Sequence, residues 1–540
     1  MTQHKTMVIL MMLASFSLLI TVGTYGVIET SDARYAEIAR EMFLSKDWLH
    51  PNLLDIHHYH KPPVTYQITA LGYDIFGINP LGARFFLQIS IILQMLLVYL
   101  LTLQFTQKQK IALWAAAIYF TFPLVLVASR NLTTDSFLTL FVLLCIYAWV
   151  RYRKSGFYGW IYLFTISLGI GFLTKGPVVF LVPFIFVLLY NRMENAKQSW
   201  SLHHLFAWGL FLIIASSWFI YLAVDNPAFW DYFIGKQTVD RFSHNVFNRS
   251  EPFWYFIVFA PLLGMPWLLV FPWMIKKTKL LFNTKSIEII LLLSVLIPLV
   301  FFSISTSKRV LYILPLYPLL AVTIALILER LPIQSEKTLL KSIAFYAIFI
   351  FTALGIAPLI DGKIIFPPYL SGSSLLFIAM LLWFVLKGTM QTKSKTVLIS
   401  FVTAVYFLLA ATTLFSYSVK SFKIATPVVQ WLKEKNLDKR EILVYNKRLP
   451  SLAFELNRST ISLYDGDRSL NREVQFEKDN KWKSFLYNIS KEEDRLRLKK
   501  YLQGKDSLLV TYKKTLPKIQ LWLIEKYAHT KKLGKWTIYY

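Results

Sequence analysis

Thirteen apolar stretches, each of spanning or near-spanning length, divide most of this 540-residue sequence. A helix needs ~20 predominantly apolar residues to cross a bilayer. The stretches lie at 7–28, 83–104, 111–128, 133–150, 158–173, 176–191, 205–224, 253–275, 287–304, 310–328, 340–360, 373–387 and 396–416. Only 16% of the residues are charged, against about 25% in a typical soluble protein. The sequence therefore predicts a polytopic α-helical membrane protein of about 13 spans, with its first stretch retained as a helix and not removed as a signal peptide.

The charges between the stretches predict a topology. Alternate connections, beginning at the N-terminus, contain 18 basic and four acidic residues, whereas the other connections contain 13 of each. Basic residues favour cytoplasmic loops, which places the N-terminus in the cytoplasm and the C-terminus outside. The external connections include the two long loops, 29–82 and 225–252. Because loops commonly carry functional residues, we expect the active surface on the external face.

Residues 1–416 are predicted to form the membrane domain with its external loops, and residues 417–540 a soluble α/β domain. The predicted C-terminal elements are helices at 425–436, 449–456, 491–503 and 516–528, and strands at 440–445, 459–464, 506–512 and the C-terminus. A glycine-rich phosphate loop is absent from this segment, so nucleotide binding is not predicted. The segment has 27 basic and 14 acidic residues. This excess indicates either attraction to anionic head groups or simply a solvated surface.

A charged segment directly after the first apolar stretch is the leading candidate for chemistry. It runs from Glu29 to Met42 and is predicted to form a helix over 31–43. One face of that helix is largely apolar, and the charged side chains of Arg34, Glu37 and Glu41 lie mostly away from it, which predicts an amphipathic helix along the membrane interface. Asp32 is either a simple N-cap or a functional carboxylate, since a carboxylate placed against a membrane is costly.

Three further candidates fall on the same predicted face of the membrane. Lys61 precedes Pro62 and Pro63, which hold the chain extended and fix where the lysine side chain starts. Asp135 stands at the outer start of the fourth stretch, and Lys175 lies at a tight Gly-Pro break between two stretches. Helix capping and snorkelling of lysine toward the interface are the structural alternatives. The topology does not depend on these residues, so their convergence favours function.

Two other external elements supply cations and hydroxyls. One contains Arg241 and the other Tyr312, the latter shortly after Lys308 and Arg309. An arginine can bind phosphate with two hydrogen bonds, and a tyrosine can add one more. Ordinary loop charges and an interfacial aromatic belt are the alternatives. Three histidines, His57, His58 and His60, follow Asp55 but match no standard zinc spacing, so a solvated loop is the favoured interpretation there.

Taken together, these motifs resemble those of the lipid A aminoarabinose transferases. The resemblance rests on Asp32-x-Arg34-Tyr35-Ala-Glu37, Lys61-Pro-Pro, Asp135, Thr-Lys175-Gly-Pro and Tyr312-x-Leu-Pro. It covers nearly the whole chain and extends to the protein O-mannosyltransferases of the polyprenyl-phosphate-dependent GT-C superfamily. It implies a GT-C fold of thirteen spans with an external C-terminal α/β domain.

The resemblance also implies the chemistry. It indicates a glycosyltransferase of the bacterial inner membrane with a periplasmic site and a sugar donor on undecaprenyl phosphate. Lys61, Arg241 and Tyr312 would bind the donor phosphate, and Asp32, Asp135 and Lys175 would be the catalytic residues. Arg34, Tyr35, Glu37 and His60 would support them. Family members commonly have Glu where this chain has His60, and that glutamate belongs to the metal site where one has been placed, so a divalent metal stays an open question here.

Three hypotheses follow for the function. The first is transfer of aminoarabinose to a phosphate of lipid A, which would weaken the binding of cationic peptides such as polymyxin. The second is transfer of another sugar, such as mannose or galactosamine, to protein, glycan or lipid A. The third is transport of a lipid-linked sugar, which is disfavoured because the sequence has no internal repeat and its charges cluster at one surface. We expect membrane lipids and a periplasmic acceptor as partners, and no nucleic acid.

Overall fold

The computed structural model describes residues 2–194, 201–232, 251–278, 286–360, 362, 364–387, 389–419, 421–466, 470–513 and 515–540. Arg241 and most of the predicted external loop 225–252 lie outside these residues. The described chain divides into two compact units, each treated separately below. The first comprises Met1–Thr21, Leu87–Asp361 and Phe366–Thr413; the second comprises Val22–Phe86, Gly362–Ile365 and Leu414–Tyr540.

Long apolar helices dominate the described chain. Eight of them have the length and composition of membrane spans: Pro80–Thr106, Thr134–Ser155, Leu202–Asp225, Ile287–Ile304, Val310–Arg330, Ile333–Leu359, Tyr369–Lys387 and Thr392–Tyr417. The number rises to ten if each of two bent helix pairs is one span. Three shorter apolar helices, at Ile9–Leu19, Gly159–Lys175 and Pro177–Met193, coincide with further predicted stretches. The polytopic helical character is confirmed, and the count of thirteen crossings stays a prediction, as does the sidedness.

Two predicted spans are broken. The stretch 111–128 bends by 66° between Gln109–Thr121 and Pro123–Ser129, and the stretch 253–275 bends by 93° between Tyr255–Leu263 and Trp267–Thr278. A proline stands at each break, at 123 and 266, and proline cannot donate the hydrogen bond that would continue the preceding turn. Each of these predicted stretches is therefore present as two helices joined at a bend.

In the residues that the structure describes, the named elements of the first unit are helices. We number its helices in chain order, together with those of the second unit. They are α1 (Thr2–Leu19), α4 (Pro80–Thr106, from Leu87 onward), α5 (Gln109–Thr121), α6 (Pro123–Ser129), α7 (Thr134–Ser155), α8 (Gly159–Lys175), α9 (Leu181–Met193), α10 (Leu202–Asp225), α11 (Pro227–Asp231), α12 (Tyr255–Leu263), α13 (Trp267–Thr278), α14 (Ile287–Ile304), α15 (Tyr317–Arg330), α16 (Ile333–Ile356), α17 (Tyr369–Lys387) and most of α18 (Thr392–Tyr417). Short 3-10 helices occur at Pro177–Phe180, Val310–Leu316 and Ala357–Leu359.

The core of this unit surrounds α15, which is buried over almost its full length. Trp267 shows how α13 is fixed in that core, because its indole N–H is shared between the hydroxyl oxygens of Thr121 (2.9 Å) and Ser400 (3.1 Å). A buried indole usually needs such a polar partner, and the two hydroxyls supply it inside an apolar bundle.

The second unit contains a six-stranded sheet of order β3-β2-β1-β4-β6-β5. The strands are β1 (Glu441–Tyr445), β2 (Ile461–Tyr464), β3 (Leu486–Asn488), β4 (Ser507–Tyr512), β5 (Thr530–Leu533) and β6 (Trp536–Tyr539). The first four are parallel, with Leu443 opposite Ile461 and Leu509, and β6 is antiparallel to both β4 and β5. Alternate residues of β1 and β4 face two separate apolar clusters, so both sheet faces are covered.

Helices from two regions of the sequence complete the second unit. They are α2 (Ser31–Ser45), α3 (Val64–Phe76), the start of α4, the end of α18, α19 (Thr426–Glu434), α20 (Pro450–Leu456), α21 (Leu470–Glu473) and α22 (Glu492–Leu502), with 3-10 helices at Lys481–Ser484 and Lys518–Leu523. The Tyr73 hydroxyl of α3 donates to the carbonyl of Ala36 in α2 at 2.8 Å. A Cβ added at Gly72 would meet the carbonyl oxygen of Gly82 at 2.2 Å, so this approach of α3 to α4 requires glycine.

Most elements predicted for the C-terminal segment are present within one or two residues. The exception is the predicted helix 516–528, where the chain forms only the short 3-10 helix Lys518–Leu523. Strands β3 and β5 and helix α3 were not predicted. The proposed domain boundary after residue 416 stays a prediction.

We expect Leu509→Ala to destabilise the sheet by ~2–5 kcal/mol, because Leu509 is fully buried in the central strand β4 and its removal leaves a cavity. Hydrogen exchange of the β4 amides in the intact protein measures this change locally. Leu496→Ala, on the exposed side of α22, is the matched control and should leave the exchange unchanged. Equal effects of the two substitutions would contradict the assigned packing.

Candidate active site

Asp32 forms a fully buried ion pair with Arg84. Arg84 Nη2 donates to Asp32 Oδ2 at 2.6 Å and Arg84 Nε donates to Oδ1 at 3.2 Å. The side chains of Arg84 and Asp32 are only 0% and 3% exposed. Arg84 also donates to the carbonyls of Val22, Tyr25 and Gly26, at 3.2, 3.2 and 3.0 Å, and its guanidinium lies 4.2 Å from the Tyr25 ring centroid. The arginine therefore fixes both the carboxylate and the backbone leading to it.

The hydrogen bonds of Asp32 differ from those of a simple helix cap. The carboxylate accepts the backbone N–H of Ile28 at 2.9 Å, whereas the residue before α2, Thr30, makes no side-chain cap. Asp32 is therefore not a helix cap, and its principal partner is an arginine 52 residues away. Removing one member of such a buried pair leaves an uncompensated charge, which costs far more than losing an exposed pair.

The predicted solvent-facing side of α2 is buried. Glu37 accepts two hydrogen bonds from Arg40, at 2.7 and 2.8 Å, and Glu41 accepts the backbone N–H groups of Leu54 and Asp55 at 2.6 and 3.1 Å. Burial raises the pKa of the Glu37 carboxyl above its ordinary value, and it raises that of Glu41 further. The predicted water-facing polar side of the helix was wrong, because these glutamates are buried and bind protein groups; its position at the membrane interface stays a prediction.

The histidine-containing loop after α2 is packed at His58, whereas Asp55 is exposed and His57 and His60 are half-buried. His58 is buried, its ring stacks on that of His60 with centroids 4.1 Å apart, and the His57 backbone N–H donates to Glu477 at 2.6 Å. Arg472 donates to His60 Nδ1 at 3.2 Å. The interpretation as a solvated loop was therefore wrong for His58.

These residues do not fit a divalent metal. The described ranges contain no group of three or more His, Cys, Asp or Glu side chains placed to hold an ion. One nitrogen of His60 already accepts a hydrogen bond from Arg472, and the charges that most strongly lower the pKa of His60 all belong to cations. A metal ion would be repelled by the same cations.

The supporting residues Arg34 and Tyr35 lie on α2 beside this loop. The Tyr35 ring packs against Tyr66 of α3, with centroids 5.2 Å apart. Lys61 is half-buried at the start of the turn that Pro62 and Pro63 make into α3. The second unit thus contains Asp32, Lys61 and the four predicted supporting residues.

A second cluster lies in the first unit, where Asp135, Lys175 and Tyr312 meet. Lys175 at the end of α8 forms a salt bridge with Asp135 in the first turn of α7, and both side chains are less than 10% exposed. The ammonium of Lys175 also lies 4.4 Å from the Tyr312 ring centroid. The lysine is therefore not snorkelling, and the carboxylate is not a cap, since Thr133 precedes the helix. Three predicted residues from three separate segments come together here.

A buried polar network, which the sequence did not reveal, fixes the start of α7. Arg130 donates to Gln88 Oε1, to the Thr412 hydroxyl and to the Ser17 carbonyl, each at 3.0 Å. Gln94 donates to the carbonyl of Ser136 at 2.9 Å, next to Asp135. Polar side chains at such depth are costly unless they are satisfied. The one sign of this network in the sequence was Arg130 itself, five residues before Asp135. Its hydrogen-bond partners are distant in sequence and could not be identified from it.

In the remaining candidate element, Lys308 makes a contact that holds the fold together. Lys308 donates to the Glu251 carbonyl at 2.7 Å, and partial burial lowers the pKa of its ammonium. Arg241 falls outside the described residues, so its predicted role stays a prediction.

Comparisons with known proteins agree with the architecture. Residues 6–233 match the family model described as dolichyl-phosphate-mannose-protein mannosyltransferase. The chain also resembles ArnT from Cupriavidus metallidurans, solved bound to undecaprenyl phosphate, with a TM-score of 0.79 and 18% identity over 98% of this chain and 97% of that one. This likeness confirms the predicted fold, a polytopic helical membrane protein of GT-C type with a C-terminal sheet-containing domain.

Sequence relatives agree on the family. The chain is 27% identical to undecaprenyl phosphate-alpha-4-amino-4-deoxy-L-arabinose arabinosyl transferase 2 of Proteus mirabilis (strain HI4320), over 90% of this chain and 89% of the relative. A transferase with the same name apart from its number, from Enterobacter sp. (strain 638), is 32% identical, but the match covers 55% of this chain and 54% of the relative. The match to the corresponding Erwinia tasmaniensis protein likewise spans about half of each chain, at 29% identity. The predicted resemblance is confirmed.

We expect Arg84→Met to destabilise the protein by ~3–5 kcal/mol, because it leaves Asp32 buried without its cation. The double variant with Asp32→Leu should lose less than the single variant, since both charges are then removed. Thermal unfolding of the purified protein in detergent tests this. Lys108→Met, which breaks the exposed pair with Glu329, is the control and should cost less than ~1 kcal/mol. If the double variant is no more stable than Arg84→Met, the two charges are not coupled.

Glu29 predicts a pH-dependent stability. Its carboxylate accepts the backbone N–H of Ser451 at 2.7 Å, and burial raises its pKa from 4.5 to about 7. The native state therefore holds this proton more tightly than the unfolded chain does. The resulting stabilisation is complete below pH 4.5 and is lost as the pH rises through 7.

We expect Glu29→Gln, which stays neutral, to raise the unfolding temperature at pH 8 relative to the native protein and to remove part of its decline between pH 5 and 8. The gain in the free energy of unfolding at pH 8 should be of the order of 1–3 kcal/mol. Glu493→Gln, at an exposed position of α22, is the control. A native-like pH profile in the Glu29 variant would show that this carboxyl is ionised in the folded protein.

Proposed function

We propose that this chain, a member of the aminoarabinose transferase family within the polyprenyl-phosphate-dependent GT-C superfamily, transfers an aminoarabinose-type sugar from undecaprenyl phosphate to lipid A. The names of the relatives and the undecaprenyl phosphate bound in the Cupriavidus structure support the donor. The chain is a multi-pass membrane protein, and its charge bias supports an inner-membrane location with the active site in the periplasm.

The reaction is a displacement at the anomeric carbon of the sugar. The bond from this carbon to the phosphate oxygen of the donor breaks, and a bond to a phosphate oxygen of lipid A forms. The products are the sugar-modified phosphate and undecaprenyl phosphate, which leaves as an anion. No proton has to be removed from an acceptor phosphate that is already ionised.

The pairing of both candidate carboxylates with cations is the observation that carries the choice of acceptor. Both oxygens of Asp32 accept hydrogen bonds from Arg84, and Asp135 is held by Lys175. A hydroxyl acceptor needs a general base with an accessible oxygen, whereas a phosphate acceptor does not. This arrangement favours a phosphate, with Asp32 orienting the reactants and not removing a proton.

The proposed donor-phosphate ligands are Lys61, Arg241 and Tyr312. Their charges and hydroxyl would stabilise the negative charge that develops on the leaving phosphate, an effect that is strongest where water is excluded. Lys175 would act on the same charge while its ion pair with Asp135 and its contact with Tyr312 hold it in place. Arg34, Tyr35, Glu37 and His60 would maintain the surroundings of Asp32 and Lys61, and residues 417–540 would form the soluble periplasmic domain.

The match to a protein mannosyltransferase family model supports a second candidate, transfer of a sugar such as mannose to a protein hydroxyl. That reaction requires Asp32 to exchange its arginine partner for an acceptor proton. The two candidates therefore differ in whether a carboxylate near the reacting centre must be released.

We expect the native protein in liposomes to add aminoarabinose to lipid A from undecaprenyl-phosphate-aminoarabinose, as measured by mass spectrometry of the lipid. Asp32→Asn and Lys61→Ala, each assayed as protein shown to be folded, should reduce the rate by about 10²- to 10³-fold, the size of effect that follows loss of one stabilising group in an active site.

Two exposed positions provide the controls for this assay. Asp74→Asn on α3 and Lys481→Ala make the same chemical changes at residues outside the proposed site, and both should retain the native rate. Transfer to a protein or glycan hydroxyl but not to lipid A would favour the second candidate. Absence of transfer from several undecaprenyl-phosphate sugars, by protein shown to be folded, would refute both.

A further inference from the structure

An apolar cavity opens at the surface of the first unit, between α16, α17 and α18. It has a volume of about 320 Å³, and its floor includes the buried Phe351 of α16 and Ile399 of α18. Met380 and Trp383 of α17 stand at its rim and are 54% and 67% exposed. The described lining side chains are aromatic or aliphatic except for Thr403, whose hydroxyl donates to the Ile399 carbonyl at 2.8 Å. The cavity therefore offers an apolar surface to whatever surrounds the helices.

A second cavity continues the first along the same helices. Its volume is about 430 Å³, it shares Phe377 and Val402 with the first cavity, and it extends to Tyr369 and Thr413. Each cavity falls within the range of about 300–1,000 Å³ that is typical of small-molecule sites. Helices α17 and α18 have the length and composition of membrane spans. Because lipid chains are as apolar as leucine, the two cavities form a groove that suits a hydrocarbon chain.

One end of this groove is positively charged. The exposed Lys387 lies in the last turn of α17, three residues beyond the lining residue Phe384. Lys395 lies near the start of α18, three residues before the lining residue Leu398, and its ammonium is 5.6 Å from the Phe384 ring centroid. Both lysines are at the same end, because α18 follows α17 after a short connection. Positive charge at the end of an apolar groove matches a lipid with an anionic head group.

The neighbouring acids do not cancel this charge. The connections 329–341 and 387–395 meet at this end, where Lys393 donates to the Glu329 carbonyl at 2.7 Å. They contain six basic and two acidic residues. The two acids form salt bridges with other lysines, Glu336 with Lys393 at 3.5 Å and Glu329 with Lys108 at 3.1 Å. The end of the groove therefore has a net positive charge.

This positive end lies far from Asp135. Thr412, near the other end of α18, accepts a hydrogen bond from Arg130, which stands five residues before Asp135. Lys395 and Thr412 are 17 residues apart in one helix, a distance of about 26 Å along its axis. The basic end is also the one that the distribution of charges predicts to face the cytoplasm. A lipid with its head group at this end is therefore remote from the proposed site of sugar transfer.

We propose that the groove binds a phospholipid with an anionic head group, such as phosphatidylglycerol. Its acyl chains lie in the groove between α16, α17 and α18, and its phosphate lies beside Lys387 and Lys395. The lipid fills space that the side chains leave empty and so stabilises the packing of these three helices. This inference goes beyond the proposed function, because it depends on neither the sugar donor nor the acceptor.

Native mass spectrometry of the delipidated full-length protein in detergent tests the choice of head group. We expect phosphatidylglycerol to bind more tightly than phosphatidylcholine with the same acyl chains. Lys387→Gln should weaken the binding of phosphatidylglycerol about fivefold, and its combination with Lys395→Gln about 25-fold, the effect of one and of two lysines at a membrane surface. Binding of phosphatidylcholine should stay unchanged. Lys277→Gln makes the same change at an exposed position in the last turn of α13 and is the matched control.

Val402→Trp tests the groove itself. Because Val402 lines both cavities, the larger side chain takes the place of part of the lipid chain. It should weaken the binding of both phospholipids by about tenfold or more, the effect of excluding about two methylene groups. Excess phosphatidylglycerol should raise the unfolding temperature of the native protein more than that of Val402→Trp. Ile213→Trp, at an exposed position of α10, is the matched control, and unfolding without lipid shows that each variant is folded.

Three results would overturn the proposal. Equal binding of the two phospholipids, or no effect of Lys387→Gln, would remove the assigned head group. Unchanged binding by folded Val402→Trp would show that the lipid lies elsewhere. If undecaprenyl phosphate displaces phosphatidylglycerol and its own binding is lost in Val402→Trp, the groove holds the chain of the sugar donor instead. Sugar transfer to lipid A tests the proposed function alone and leaves these outcomes unaffected.

Discussion

The cost of removing charge from water is the constraint on which both candidate clusters depend. Asp32 lies against Arg84 with almost no solvent access to either side chain, and Asp135 lies against Lys175. Burial of any one of these carboxylates or cations without its partner would be costly in free energy. Within each pair, the two charges compensate one another and fix the segments on which they lie. Arg84 also donates hydrogen bonds to three backbone carbonyls ahead of α2. Rigid placement of charge is the property that electrostatic stabilisation of a leaving group requires.

The same constraint explains what the sequence could and could not predict. Hydropathy predicted the apolar helices, and the periodicity of polar and apolar residues predicted α2 and most of the C-terminal strands. These signals are local in the sequence. Asp32, Asp135, Lys61 and Lys175 were recognised from their motifs. Their partners were not, because Arg84 is 52 residues from Asp32 and Thr412 is 282 residues from Arg130. Such pairs are defined only once the chain is folded.

The errors that concern polar residues in the second unit have one physical origin. Glu37, Glu41 and His58 were expected to face water because they are polar, yet all three are buried in the second unit. Glu37 accepts hydrogen bonds from Arg40, Glu41 accepts two backbone N–H groups, and the His58 ring stacks on that of His60. A polar residue in a periodic pattern shows where water would be favourable, not where the fold provides a substitute for water.

The replacement of an acid by His60 changes the charge balance of the loop before α3. A glutamate at this position would add a negative charge beside Arg34, Lys61 and Arg472, whereas a neutral imidazole leaves the positive charge around position 60 uncompensated by the side chain there. A transfer between two phosphates brings two negative groups within a few ångströms of one carbon, and their repulsion must be offset by at least as much positive charge. In the proposed reaction, positive charge near the two phosphates would stabilise the protein with both substrates bound more than the free protein, which is the differential stabilisation that binding and catalysis need.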